Sequence, residues 1–324
     1  MKTEIKTSIE TQKKPVFAKA AKLKKVHLPL LLMLLPGVVL TFIFSYMPMF
    51  GAVIAFKNVN MRDGIWGSPW NGIDNFKFLF QTSDAWLITR NTIGYNLVFI
   101  IFGTAAAVML AVILNLISNK RASKVYQTIF IMPHFLSFVI VGYLVFAFLS
   151  MENGFINKNI LSLFGMSEIN WYTEPKYWPW ILIIVRFWKE LGFSSVVYLA
   201  AIAGVDSELY EAARIDGANT CRLIWHITLP SIRMVVIIMT ILNVGKILNS
   251  DFGLFYQVPM NSGALYNTTT VIGTYVYRML ASGQGALTLG LASAASFYQS
   301  IVGFVLVMVT NWIVNKIDSE SAMF

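Results

Sequence analysis

The 324-residue chain is 56% hydrophobic and 13% charged, with a mean hydropathy of +0.64. An ordinary soluble domain carries roughly 25% charged residues, so the composition is that of a membrane protein. The net charge of +9 does not point to nucleic acid, because eight of the 25 Lys and Arg precede Pro29 on a polar tail that abuts the first apolar run. Cys221 is the only cysteine, which excludes an internal disulfide and a cysteine-based metal cluster.

Residues 1–28 read as a basic N-terminal tail rather than a secretion signal, since the charged part is long and the run from Leu30 to Phe50 lacks a small-residue cleavage pattern. From residue 29 onward come apolar runs of about 20 residues or more, long enough to cross a ~30 Å hydrocarbon core at ~1.5 Å per residue. Their hydrophobicity is continuous rather than alternating, which selects α-helices over a β-barrel. The predicted fold is all-α, a polytopic membrane protein with six transmembrane helices. These fall at roughly 30–56, 92–117, 125–149, 178–203, 232–256 and 288–315. Pro36, Pro48 and Pro133 lie inside or near the ends of helices and are expected to bend them, a defect that a helical bundle absorbs.

With the N-terminus inside, fifteen Lys and Arg fall on the inner side and seven on the outer, a bias that places both termini in the cytoplasm. Six of the nine Trp (Trp66, Trp70, Trp86, Trp171, Trp178 and Trp180) lie on or beside the outer loops, where interfacial anchors belong. The outer connections, about 57–91, 150–177 and 257–287, are long for a bundle; they either carry function or cap the helices at the headgroups. No internal repeat is visible, and six spans call for a second, similar subunit to complete a pathway.

The inner loop 205–231 reads Asp206-Ser207-Glu208-Leu209-Tyr210-Glu211-Ala212-Ala213-Arg214-Ile215-Asp216-Gly217-Ala218-Asn219 and ends Ile227-Thr228-Leu229-Pro230. It is expected to open as a short helix. Asp206 or Ser207 caps it, Glu208 and Glu211 favour its positive end, and Gly217 stops it in a left-handed conformation. Ala212, Ala213 and Gly217 leave a small-residue face that another protein can approach, and Leu229-Pro230 marks the turn into the fifth span. Any four of these residues would fit an ordinary amphipathic surface helix. Taken together, Glu-Ala-Ala, three residues, Gly and a later Ile-x-Leu-Pro before the penultimate span resemble the signature loop of binding-protein-dependent ABC importer permeases.

That resemblance implies a type I ABC importer permease fold over residues 29–324, in the bacterial cytoplasmic membrane, with rigid-body alternating access. It makes the loop a coupling helix seated in a separate ATPase, with Glu211, Ala212, Ala213, Arg214, Asp216, Gly217 and Ala218 at the contact and Ile215 beside them. No GxxxxGK[ST] occurs in the chain, so the chain is expected to be no enzyme itself and to bind no cofactor, with ATP and Mg held by the ATPase. The implied partners are a second permease in a heterodimer, two ATPase copies, an extracytoplasmic solute-binding protein, a carbohydrate and membrane lipid, with no nucleic acid. Gly72-Ile73-Asp74-Asn75-Phe76, Asn91-Thr92, Gly154-Phe155-Ile156-Asn157 and Glu208-Leu209-Tyr210 resemble the oligosaccharide branch. Thr274-Tyr275-Val276-Tyr277-Arg278 is similar to lipoprotein-associated sugar permeases and alginate-oligosaccharide importers.

Candidate solute contacts come from polar residues inside spans. Arg186, Lys189 and Glu190 are costly in lipid, so they face a water-filled path, pair locally, or lie at the interface of a shorter span. Asn243, Lys246 and Asn249 are spaced by three and share one helical face, with Asp251 less well aligned. Gln299, beside Ser296 and Ser300, offers either solute hydrogen bonds or contacts between helices. Phe193, Tyr198 and Tyr298 are available as sugar platforms. If the solute is a uronate, Arg186, Lys189 and Lys246 are its cationic partners. His134 is either a packed neutral ring or a proton relay. The alternative function is an ion-coupled secondary transporter using His134, Asp251 or Glu190, although the inverted repeats of such folds are not visible.

Overall fold

The computed structural model describes residues 28–60, 62–281 and 286–317. All but the last residue of the predicted basic tail lies outside them. The described residues contain no strand, only an isolated bridge between Lys57 and Trp70. Four helical stretches are long and apolar enough to cross a membrane: Leu31–Phe56, Asp84–Leu116, Thr220–Gly245 and Thr288–Lys316. Lys120–Phe135 and Phe138–Leu149, which meet at 97°, make a fifth if they count as one broken span.

The chain divides into two units, Met1–Gly51 and Ala52–Phe324. In the first, helix α1 (Leu28–Thr41) contains Pro36 and passes into a wide π turn at Phe42–Tyr46. A tighter 3-10 stretch, Met47–Phe56, follows from Pro48. A proline cannot donate to the preceding turn, so the hydrogen-bond ladder changes pitch around it.

The second unit contains α2 (Asp74–Gln81), α3 (Ser83–Leu116), α4 (Lys120–Ile131), α5 (Phe138–Leu149) and α6 (Trp178–Ala203). Then come α7 (Ser207–Ile215), α8 (Thr220–Gly245), α9 (Ile272–Ala281) and α10 (Ala286–Ile317). Helix α6 has the bounds predicted for the fourth span. Every stretch of it long enough to cross a bilayer carries Arg186, Lys189 and Glu190, which takes it out of the strongly apolar class.

Two predicted spans are corrected. The third is not continuous over 125–149. Met132–Phe135 tightens into a 3-10 turn, Leu136 and Ser137 are extended, and the Ser137 hydroxyl accepts the Ile140 N–H at 3.3 Å to start α5. Pro133 removes a donor at the end of α4 and Ser137 is a good helix cap, so two short helices replace one. The fifth span starts at Thr220 and ends at Gly245 instead of running over 232–256. Pro230 lies in the first turn of the regular α-helix Leu229–Gly245 as expected, and a π turn at Ile224–Thr228 extends the span back to Thr220.

Three buried clusters hold the second unit. Trp178, Leu182 and Val185 of α6 pack with Val141 of α5 and with Phe255 and Val258. Leu79, Ile88, Leu248, Ile272 and Ala295 form another, and Ala107, Ala111, Tyr198, Ile202 and Ile232 join α3, α6 and α8. Glycines allow backbone to meet backbone. A Cβ added at Gly192 of α6 would collide with the Phe130 carbonyl and the Ile131 nitrogen at the end of α4. Gly192→Ala is therefore expected to destabilise the protein by about 1–3 kcal/mol. Gly94→Ala, where nothing lies within 4 Å of the added carbon, should leave the melting temperature in detergent unchanged or raised. Equal melting of the two variants would refute that backbone contact.

Candidate functional site

A cavity of about 450 Å³ opens between α3, α6 and the end of α8, within the size range of small-molecule sites. Asn243 and the turns after α8 supply much of its polar wall. The helix stops at Gly245, where Lys246 N–H bonds the Asn243 carbonyl at 3.0 Å and Asn249 N–H bonds the Lys246 carbonyl at 2.8 Å. Asn243, Lys246 and Asn249 thus do not share a helical face as expected, yet all three line the cavity. The tight turns also bring in Asp251, which a continued helix would have pointed elsewhere. Asn96 was missed in the sequence because it is one amide in a charge-free span. Its Nδ2 donates to the Asn249 carbonyl at 3.1 Å, and it lines the same wall.

Of the three charges in α6, Arg186 and Glu190 line the cavity and Lys189 does not. Arg186 Nη1 donates to Asp251 Oδ2 at 2.8 Å and lies 3.8 Å from Glu190 Oε1. The other Glu190 oxygen is 3.0 Å from His134 Nδ1. The His134 ring stacks flat on Phe193, centroids 4.1 Å apart, so it is both packed and paired. Lys189 is 4% exposed. Its Nζ donates to the His134 carbonyl at 2.5 Å, with the Pro133 carbonyl at 3.5 Å and the Phe138 ring at 4.9 Å. The ammonium serves the His134 carbonyl at the helix break, which has no water to turn to in a bilayer, while the Pro133 carbonyl also accepts the Leu136 N–H at 3.2 Å. Lys246 is exposed, and among the described residues no carboxylate lies within ion-pair distance of it.

Gln299 lies off the cavity; its Nε2 donates to Asn249 Oδ1. Ser300 bonds the Ser296 carbonyl within α10 at 3.0 Å. Phe193 and Tyr198 line the cavity, whereas Tyr298 meets Phe80 edge-on in a separate apolar groove.

The 205–231 loop folds as predicted in its first half. Asp206 caps α7 by accepting the Glu208 N–H at 2.9 Å. Ala218 N–H bonds the Ala213 carbonyl at 2.9 Å and Gly217 N–H bonds the Arg214 carbonyl at 3.0 Å, with Gly217 at φ 78°. That is a Schellman closure, for which glycine is preferred. Glu211, Ala212, Arg214, Asp216 and Gly217 are exposed, with Ala213 and Ala218 partly so. The Tyr210 hydroxyl meets Thr228 Oγ1 at 3.1 Å, tying α7 to the base of α8.

Between α8 and α9, Met260 and Asn261 both take positive φ, at 50° and 48°. Arg278 holds this strained turn. Its Nε donates to Asn261 Oδ1 at 2.9 Å, and its guanidinium lies 3.8 Å from the Tyr266 ring centroid. Burial lowers the Arg278 pKa from its ordinary value.

A family described as "Binding-protein-dependent transport system inner membrane component" matches residues 103–319, which include the α6 and α8 walls of the cavity and all of α7. The chain belongs to this family. The permease is 37% identical to Protein LplB of Bacillus subtilis (strain 168), over 90% of each chain. It is 35% identical to the polygalacturonan/rhamnogalacturonan transport system permease protein YteP of the same organism, over 90% of this chain and 89% of that one. A crystal structure of a bacterial ABC transporter involved in the import of the acidic polysaccharide alginate superposes with a TM-score of 0.80 at 35% identity. The match covers 90% of the permease and 96% of that chain, and so extends the type I importer fold over nearly the whole molecule. The ion-coupled alternative is not favoured.

Removing the ammonium at the break is expected to cost about 1–3 kcal/mol through the His134 carbonyl that loses its donor. Lys189→Met should therefore lower the melting temperature of the purified permease and Lys246→Gln should not. A thermal melt in which the two coincide would contradict the separate roles assigned to these lysines.

Proposed function

We propose that the permease is one half of a heterodimeric, ATP-driven importer that carries acidic oligosaccharides across the bacterial cytoplasmic membrane. The observation that carries this reading is the continuity from α7 to the cavity. An exposed helix, closed by Gly217 and presenting Ile215 at 87% exposure, is bonded to the base of α8, whose far end supplies Asn243 and Lys246. A push on α7 from a separate ATPase then reaches the solute site through one helix. In this reading Glu211, Ala212, Ala213, Arg214, Asp216, Gly217 and Ala218 form the docking face, and two ATPase copies hold ATP and Mg.

The six-span arrangement is supported by α6 and the broken α4–α5 pair, added to the four apolar helices; an even number keeps both termini on one side, and the Lys and Arg bias makes that side the cytoplasm. A second permease would complete the pathway, and an extracytoplasmic binding protein would deliver the solute. A related alginate transporter has been solved with an alginate pentasaccharide-bound periplasmic protein. Two relatives handle uronate-containing or acidic polysaccharides by name. The cavity here suits that chemistry, with the Asn96, Asn243 and Asn249 amides for hydroxyls, the exposed Phe193 for a sugar face, and Lys246 for a carboxylate. Arg186 is already occupied by Asp251.

The test is co-purification of the permease with candidate ATPase and second-permease chains, followed by ATPase assays with binding protein loaded with alginate or galacturonate oligomers. Glu211→Lys and Gly217→Val are expected to abolish ATPase recruitment, and Lys246→Glu to lower uptake of the acidic oligomers at least tenfold, about 1.4 kcal/mol. Accumulation of solute by vesicles holding the permease without any ATPase would overturn the reading.

A further inference from the structure

One turn of α6 grips the junction of α4 and α5 at four points. Lys189 caps its His134 carbonyl, Glu190 pairs with His134, the Gly192 backbone lies against Phe130 and Ile131, and Phe193 stacks on the imidazole. One turn earlier, Arg186 reaches across the cavity wall to Asp251. Asp251 in turn organises the segment that follows it. Its Oδ1 accepts the Leu254 N–H at 3.3 Å and its carbonyl accepts the Phe255 N–H at 3.1 Å. That segment is pressed against α5, because a Cβ at Gly142 would lie 2.7 Å from the Gln257 carbonyl oxygen and one at Gly253 would strike the Phe138 ring.

Helix α5 is thus fastened to α6 twice, at its start through Glu190 and His134 and along its side through Arg186 and Asp251. The first fastening is backed by the buried Lys189 and by backbone contact. The second faces the cavity, where the Arg186 and Asp251 side chains keep 30% and 28% of their surface exposed. The Glu190–His134 pair is about as exposed, at 21% and 29%, but only Glu190 of that pair lines the cavity, whereas both Arg186 and Asp251 do, so a solute carboxylate entering the cavity meets there the cation that Asp251 holds.

We infer that the Arg186–Asp251 pair is a solute-sensitive latch, two positioning residues that hold α5 and the 251–257 segment in the resting arrangement until solute competes for Arg186. Glu190, 3.8 Å from Arg186, keeps the guanidinium compensated when Asp251 lets go. A ligand shifts such an equilibrium by binding one state better than the other, and here the difference is Arg186 made available. This rests on the importer reading above.

The test uses the complete complex, co-purified with its ATPase and second permease and placed in lipid nanodiscs. Hydrolysis is measured first without solute and then with binding protein carrying galacturonate oligomers. Asp251→Asn and Arg186→Gln are expected to raise solute-independent hydrolysis about fivefold, the effect of losing a pair worth roughly 1 kcal/mol, and to blunt further stimulation. The charge swap Arg186→Asp with Asp251→Arg should return hydrolysis toward the wild-type rate. A merely structural role would lower hydrolysis and melting temperature together, without rescue by the swap. Unchanged solute-free hydrolysis in Asp251→Asn, or a swap that behaves like the single variants, overturns the latch. A wild-type chain that recruits no ATPase overturns the importer reading instead.

Discussion

A break in a membrane helix frees carbonyls that lipid cannot solvate, and much of this structure follows from how one such break is satisfied. Pro133 and Ser137 end one helix and begin another at 97°. Lys189 reaches in from α6 to donate to the His134 carbonyl between them. The expense of burying an ammonium is offset by the carbonyl it serves and by the Phe138 ring beneath it. With that link made, α6 must run beside the junction closely enough for Gly192 to touch backbone. Arg186 and Glu190, within one turn on the same helix, are then carried onto the cavity wall.

The same helix and its successor connect that wall to the opposite end of the molecule. Helix α7 is short and has few tertiary contacts of its own, so its geometry depends on caps: Asp206 at the start, the Gly217 closure at the end, and Asn219, whose side chain accepts the Arg222 N–H at 2.9 Å to start α8. Caps fix a direction without a core, which is what a helix presented outward requires. The Tyr210–Thr228 contact then gives α7 purchase on α8 across the wide turn before Pro230. A π turn in that position keeps α8 a single 26-residue element, so displacement at one end is felt at the other.

What was legible in the sequence were features that depend on local chemistry. The continuous apolar runs for α3 and α10, the charge-interrupted run for α6, the caps of α7 and the left-handed Gly217 all follow from residues close together in the chain. The errors share a physical cause: each depended on a contact from another element. Pro133 announced a bend, but the right angle required Lys189 and Gly192, more than 50 residues away. The fifth span was drawn through Gly245 because apolar residues continue past it, yet the chain turns there and packs Gly245 against Val307. Misplacing that end set Asp251 out of line with Asn243, Lys246 and Asn249, although the turns bring it to the same wall. The fragments that carried the family resemblance gain a physical basis as well. Asn75, Asn91 and Asn157 are buried amides whose Nδ2 groups bond backbone carbonyls of other segments: Ala55 and Lys57, Asn267 and Thr270, and Ser150 and Ile169 respectively.

The four cationic and anionic groups at the cavity therefore cannot be read as a simple sum of charge. Arg186 is matched by Asp251 and Glu190, Glu190 is shared with His134, and Lys189, expected beside them, has turned to the backbone. Lys246 alone among the described cavity residues presents a charge without an opposite one in ion-pair reach. It sits at the end of α8, where unpaired carbonyls already favour a cation, so it can remain charged without an internal carboxylate. An acidic solute meeting this wall finds one free cation and one that must first be released by Asp251. On the importer reading proposed above, binding at the first and competition at the second are separable steps, so a cavity with balanced charge has distinct groups for selecting an anion and for registering its arrival.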